Sequence, residues 1–280
     1  MKNKKLNFEK DFSDNLDKLT KNHKVFIIQS QIWSICNFYK IDLKFAIDVI
    51  LKKLVKISKY KTILLPAFSN DFAKKRKYDL VRSIPNTGAL PIFALKQKIF
   101  YRSQSPLHGF LVLGKNVKKI IKIKGYSSWG KGSLYEWMEK NKALWISINL
   151  DWSEGCAFHH RSEEIASVPY RKYIVFRGKL FKNGKFLKNI YERKYSYSLE
   201  MIPKFNWNKW KKAFKKGDTK VTRVNKALVF RSAQTNLITK RCVEFYKKKP
   251  YGSVENKKEI KRWLEKSNFD LKKISNQNYR

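Results

Sequence analysis

The sequence predicts an α/β fold: a single mixed central sheet flanked by helices, with a C-terminal β-hairpin and helical extension. Three observations carry that prediction. Short β-rich apolar runs alternate with segments of helical periodicity, the pattern of strands and helices packed in layers. Further along, an Asn183-Gly184 dipeptide separates two more runs of strand character. Hydrophobic residues make up 42% and aromatics 15% of 280 positions, enough to build a full core, which excludes a disordered basic tail.

Taken in order, residues 24–31 (KVFIIQSQ) hold an apolar, β-branched run and read as a buried strand. In 45–57 (FAIDVILKKLVKI), Ile47, Ile50, Leu51, Leu54 and Val55 recur at helical spacing, so this is an amphipathic helix. Residues 62–68 form the next strand, ended by the turn-prone Ser69-Asn70-Asp71. Core strands follow at 108–113 and 143–149, and the helix between them, 133–141, opens with Ser133 and Glu136. That S-x-x-E spacing is a capping box, in which each side chain satisfies an orphan amide of the first turn. Residues 173–181 and 186–191 flank Asn183-Gly184, whose type I′ turn needs positive φ twice. Trp207, Trp210 and Phe214 return to helical spacing, and 227–231 supplies one more strand. No repeat and no long linker divides the chain. Residues 1–280 are therefore expected to form one domain, with a core at 24–171 and the hairpin and extension at 172–280.

Charge is the loudest feature: 63 Lys and Arg against 22 Asp and Glu give a formal net charge of +41. Such a surface attracts polyanions. The lysines are nevertheless spread along the whole chain, and the accompanying Asn and Ile excess is what an AT-rich coding sequence produces, so charge alone does not decide function. With 11 Gly and 7 Pro the chain is neither a flexible linker nor collagen-like. No apolar run approaches the roughly 18–20 residues of a membrane helix. Residues 1–10 are polar and lack a signal peptide's apolar stretch. Cys36, Cys156 and Cys242 have no metal-ligand spacing and suit a reducing compartment, so a cytoplasmic protein without membrane contact is expected.

The four histidines are unevenly placed. His23 lies in a polar stretch, whereas His108, His159 and His160 fall within 101–110 and 155–171. His160 stands i,i+3 from Glu163 and i,i+4 from Glu164, so either carboxylate can lie beside the imidazole on one helix face. A carboxylate there fixes the ring's tautomer and makes His160 a candidate general base. His159, one position earlier, is expected to point to the other side. H-H-x-x-E lacks the i,i+4 histidine pair that grips zinc from one helix, so no metal is expected. Cys156, four residues before His160, offers an alternative covalent nucleophile.

The order of short motifs adds a resemblance. They are 66–70 (PAFSN), 85–91 (PNTGALP), 102–110 (RSQSPLHGF), 128–133 (SWGKGS), 158–164 (FHHRSEE) and 168–171 (VPYR). This series resembles the aminoglycoside 3-N-acetyltransferase, or antibiotic N-acetyltransferase, family. Its members carry M-P-T-[FY] at a strand end, a G-x-L-P turn, R-S-x-H-P-x-H-S, a G-x-G-S-P helix start, and L-H-x-x-E with V-P-Y-R. The resemblance spans about residues 24–171. It implies acetyl-CoA-dependent transfer to an amino group on a mixed α/β fold, with His160 as base and Glu163 orienting it or contacting the amine. It also implies that His108 lines the same cleft. The family's H-S-S-L stretch, which touches the CoA arm, reads here Gln29-Ser30-Gln31-Ile32, making Ser30, Gln31 and Ile32 cofactor contacts. Arg102 would face CoA phosphates at the cleft mouth, and the Ser103 hydroxyl is a candidate oxyanion donor. Departures occur at Ser105, Gly109 and Leu134, where the family has His, Ser and Pro. The implied partners are CoA and a small-molecule amine, on an amino sugar or an aminoglycoside. Near the motif the carboxylates are few: Asp151, Glu154, Glu163 and Glu164. The alternative is a basic nucleic-acid-binding module built on 209–220 with Trp210 and Phe214, although no RNP, KH, helix-turn-helix or zinc-finger signature accompanies it.

Overall fold

The computed structural model describes residues 2–206 and 208–267. Its first part runs α1 (Lys2–Thr20), β1 (Val25–Ser30), α2 (Trp33–Tyr39), α3 (Leu43–Ser58), β2 (Thr62–Pro66), α4 (Phe72–Lys75) and β3 (Lys77–Asp79). Next come α5 (Ala89–Lys96), β4 (Tyr101–Arg102), β5 (Phe110–Gly114), α6 (Val117–Ile120), α7 (Leu134–Lys140) and β6 (Leu144–Ile148). The remainder is α8 (Trp152–Gly155), α9 (Phe158–Ile165), β7 (Lys172–Lys182), β8 (Lys185–Ser196), β9 (Thr219–Asn225), β10 (Leu228–Gln234), α10 (Thr235–Lys248) and α11 (Lys257–Lys266).

Seven strands form the main sheet in the order β4-β5-β2-β1-β6-β10-β9. β1 runs parallel to both β2 and β6, and the outer strands are antiparallel, so the sheet is mixed as the sequence predicts. In the central strands β2, β1 and β6 both faces are buried, which is why these strands read as near-continuous apolar runs. Along β1, Phe26 and Ile28 enter one core with α1 and α3, whereas Val25 and Ile27 enter the other with α7, α9 and α10. A three-stranded sheet, β3-β7-β8, carries the hairpin, and Asn183 (φ 50°) and Gly184 (φ 84°) supply the two positive angles its turn requires.

Several local expectations change in detail. The polar start of the chain is a helix: α1 buries Phe8, Phe12, Leu16 and Leu19, which recur at helical spacing. In α3, Val55 is exposed while Ile47, Ile50, Leu51 and Leu54 are buried. Ser133 does cap α7, accepting from Glu136 N, but Glu136 reaches back to Gly132 N rather than to Ser133. The reciprocal box forms instead at Asp151 and Glu154 in α8. Trp210, which begins a short 3-10 turn (Trp210–Ala213), is fully buried and offers no stacking platform for a base; Trp207 lies outside the described residues. Among the described residues no helix is long and apolar enough to cross a membrane.

Candidate active site

Where β1 has parallel neighbours on both sides, the connections leaving the strand ends diverge and open a crevice, the usual place for a site in such sheets. A pocket of about 230 Å³ lies there, lined by Gln29 at the end of β1, Phe68 after β2, His108 before β5, Cys156 between α8 and α9, and His159 and His160 on α9. Two glycines let the backbone close in. A Cβ on Gly155 would sit 3.0 Å from Ser147 Oγ and 3.2 Å from the Gln29 side chain. One on Gly109 would lie 2.1 Å from the Ser105 carbonyl, which explains why glycine follows His108.

His160 and Glu163 meet as the i,i+3 spacing predicts: His160 Nδ1 lies 2.8 Å from Glu163 Oε2. Glu163 is fully buried and has two further partners, Tyr170 Oη donating to Oε1 at 2.7 Å and Arg171 Nη2 to Oε2 at 2.9 Å. Arg171 Nη2 also approaches His160 Nδ1, at 3.1 Å. A guanidinium can only donate and an ionised carboxylate can only accept. A carboxylate paired with Arg171 therefore accepts a hydrogen bond from the Nδ1–H of His160, which leaves the lone pair on Nε2. Burial, together with the charges of Arg171 and Lys194, holds His160 well below the usual histidine range, so the ring is neutral near pH 7. Tyr170 and Arg171 thus receive a place that their motif alone did not reveal: they clamp the carboxylate behind the base. Glu164, the other candidate partner of His160, accepts instead from Tyr173 Oη at 3.1 Å.

A second relay stands across an indole. The Trp129 ring lies 4.3 Å from the His108 ring and 4.8 Å from that of His160. Ser128 Oγ donates to Glu192 Oε1 at 2.5 Å, so it accepts from His108 Nδ1 at 3.1 Å, and this ring too carries its proton on Nδ1. Glu192 is fully buried and also receives the Leu107 amide at 2.8 Å. Burial depresses His108 to about 4, against the opposing pull of Glu192. Glu192 escapes the sequence reading because the predicted strand stops at residue 191, whereas β8 continues through a charged stretch to Ser196. The same extension delivers the half-buried Lys194, whose ammonium sits 5.6 Å over Trp129 and is lowered to about 8, chiefly by burial and then by Arg171.

Other expected site residues have different surroundings. His159 does not point away: its ring centroid lies 3.8 Å from that of His160 and lines the same pocket, with Nδ1 donating to the Cys156 carbonyl at 2.5 Å. The first turn of α9 has just begun there, so both imidazoles reach the strand ends. Cys156 caps α8 and lies outside α9, and burial pushes its thiol up to about 12, which removes the helix-face geometry and the thiolate that a covalent route needs. Arg102 is turned inward, donating to the Ser83 and Ala67 carbonyls and to Ser69 Oγ, so it braces the scaffold rather than facing CoA phosphates. Ser103 Oγ is buried and accepts from Phe110 N, and Ile32 lies in the core with α1 and α3. Gln31 accepts from Ser34 Oγ. Ser30 Oγ, by contrast, is buried at the end of β1 without a hydrogen-bond partner among the described residues. Donor atoms of His159, His160 and Glu163 lie within 4.8 Å of one another. Both Glu163 oxygens are already engaged, by Tyr170, Arg171 and His160, which leaves a metal cation no free carboxylate oxygen in this trio.

A family model for aminoglycoside 3-N-acetyltransferase matches residues 62–239, more than half of the chain. A search of curated protein sequences finds no match. Among solved structures, AAC-IIIb, in its binary complex with CoASH, is 14% identical with a TM-score of 0.67, covering 84% of this chain and 94% of its own. The YokD protein from Bacillus subtilis is 15% identical, with a TM-score of 0.68 and coverage of 88% and 95%. AAC-VIa bound to sisomicin is 12% identical, with a TM-score of 0.66 and coverage of 86% and 97%. At these identities the likeness is one of fold. Taken with the family match, it shows that the chain belongs to the aminoglycoside 3-N-acetyltransferase family of acetyl-CoA-dependent acyltransferases.

Proposed function

We propose that the protein moves an acetyl group from acetyl-CoA directly to an amine of an amino sugar or aminoglycoside, with His160 as general base. The observation that carries this reading is the His160–Glu163–Arg171 chain at the mouth of the sheet crevice, which presents a neutral imidazole with its lone pair on Nε2. As the amine nitrogen bonds to the thioester carbonyl carbon, His160 takes the amine proton. The C–S bond then breaks, and the imidazolium can return that proton to the leaving thiolate. Glu163 would stabilise the imidazolium as a positioning residue. General-base help of this kind is worth on the order of 10²–10⁴-fold, and alignment of the two substrates supplies more. His108, neutral across Trp129, would accept a second N–H of the amine and hold it in line. Of the proposed cofactor contacts Ser30, Gln31 and Ile32, Ser30 stands next to the pocket-lining Gln29, and its side-chain oxygen has no hydrogen-bond partner among the described residues.

The acceptor follows from the charge of the whole surface. Arg171 and Lys194 are balanced by Glu163 and Glu192, and Glu154 lines the pocket, so the preference comes from the +41 surface, which slows the approach of a polycation and draws in an acceptor carrying an anionic group, the chemistry of a nucleotide-linked amino sugar. AAC-VIa, by contrast, is bound to sisomicin in its structure. We place the enzyme in the cytoplasm, where its three buried cysteines remain thiols, and regard the whole chain as one acetyltransferase domain. The test is CoA release across a panel of aminoglycosides and nucleotide-linked amino sugars, at low and high salt. The reading expects acetylation of at least one panel amine with intersecting initial-rate lines, and a kcat/KM for anionic acceptors that falls as salt rises. Parallel lines would overturn direct transfer. Equal or better use of an aminoglycoside would overturn the anionic acceptor while leaving the reaction intact.

A further inference from the structure

β8 is used on both faces. Glu192 and Lys194 serve the histidine side, so Tyr191 and Arg193 stand on the opposite face. There they meet Arg177 and Val175, their register partners on β7. The segment 126–128 is laced onto the same strand: Arg193 N donates to the Tyr126 carbonyl and Ser128 N to the Arg193 carbonyl, both at 2.9 Å. Between segment and hairpin lies a groove of about 420 Å³ lined by Tyr126, Ser127, Lys131, Arg177, Tyr191 and Arg193.

Its chemistry is two-fold. The Tyr126 and Tyr191 rings stack at 4.5 Å with planes 11° apart, and both remain exposed, which makes a flat aromatic platform. Lys131, Arg177 and Arg193 bring three cations to the same groove, and among the described residues no carboxylate lines it. The nearby Glu164 is engaged by Tyr173, whose ring the Arg193 guanidinium covers at 4.3 Å. A planar ring joined to phosphates is the ligand that uses both features at once: the ring stacks, and the guanidinium and ammonium groups grip the phosphate oxygens. The volume falls in the range of small-molecule sites. Because Ser127 lines the groove and Ser128 belongs to the His108 relay, one short segment joins this surface to the reaction centre.

We propose that this groove binds the nucleotide end of a substrate, its base on the tyrosine pair and its phosphates against Lys131, Arg177 and Arg193. Two substrates carry that chemistry, CoA itself and a nucleotide-linked acceptor. The test is calorimetric titration of ADP and of inorganic pyrophosphate into the full-length protein, its K131A/R177A double variant and its Y191A variant; all three positions are exposed. The double variant should weaken ADP binding at least tenfold. Y191A should weaken ADP at least fivefold and leave pyrophosphate unchanged, since only the base loses its platform. If the double variant raises KM for acetyl-CoA but not for acetyl-pantetheine, the nucleotide belongs to the donor. If it raises KM for a nucleotide-linked amino sugar and leaves acetyl-CoA alone, it belongs to the acceptor. ADP that fails to bind, or binds both variants as well as the parent, overturns the site. An oligouridylate that binds far more tightly than ADP, and is lost in the same variants, would replace the small ligand by nucleic acid.

Discussion

Residue by residue, the two pocket-lining histidines of α9 differ in what holds their Nδ1 protons. His160 leans on a buried, arginine-clamped carboxylate, whereas His159 leans on the Cys156 carbonyl and stacks at 5.6 Å on Trp210. A carboxylate stabilises the imidazolium formed when the ring accepts a proton; a carbonyl dipole does so far less. His160→Ala should therefore lower kcat by roughly 10²–10⁴-fold. His159→Ala should cost less than about tenfold, even though both rings line one pocket. Steady-state rates for the two variants, with circular dichroism to confirm folding, check this, and equal losses would assign the base wrongly. The pair His160/Glu163 was legible because i,i+3 spacing is a local geometric rule. Glu192 was not, because it meets His108 and Ser128 only when three segments distant in sequence have folded together.

Among the elements, α1 makes the clearest case for a helix that composition conceals. Its polar residues outnumber its apolar ones, yet Phe8, Phe12 and Leu16 are all fully buried, and the Phe12 ring lies 6.0 Å from Phe230 on β10. This helix thus covers one face of the sheet near its β10 side. Phe12→Ala should destabilise the protein by about 3–5 kcal/mol, the usual cost of emptying a buried phenylalanine site. A urea-denaturation midpoint within error of the parent would mean that α1 is not part of the cooperative unit. The strands at 24–31, 62–68 and 143–149 were readable because both sheet faces are buried and their apolar runs are unbroken. β9 was not, since half-exposed polar residues give an edge strand no such signature, and the far half of β8 is hidden by alternating charges whose inward members make buried ion and hydrogen-bond contacts.

For the molecule as a whole, the buried histidines tie stability to pH. His108, His159 and His160 are all held below the unfolded value of 6.5, largely by burial. Between that value and the folded one, the unfolded chain binds protons that the native state refuses, so stability is fully present above pH 6.5 and declines as pH falls. For His108, a fall to about 4 amounts to at most ~3 kcal/mol. Glu164, raised by burial, acts in the opposite sense, since its contribution grows as pH falls through its folded value, and it offsets part of the loss. Asp79, Asp151 and Asp218 are lowered by their hydrogen bonds and salt bridges, so their contributions fade only at still lower pH, leaving the upper part of the window to the histidines. A formal charge of +41 adds a cost throughout, because each proton taken up near a surface already crowded with cations strengthens self-repulsion. Urea midpoints measured from pH 7.5 to 4.5 should therefore be level down to about 6.5 and fall below it. His108→Asn, which removes one of the titrating rings, should start from a lower midpoint but show a shallower decline. A parent midpoint that stays level to pH 4.5 would show that these rings protonate in place, and the neutral relay on which the proposed mechanism depends would be lost with it.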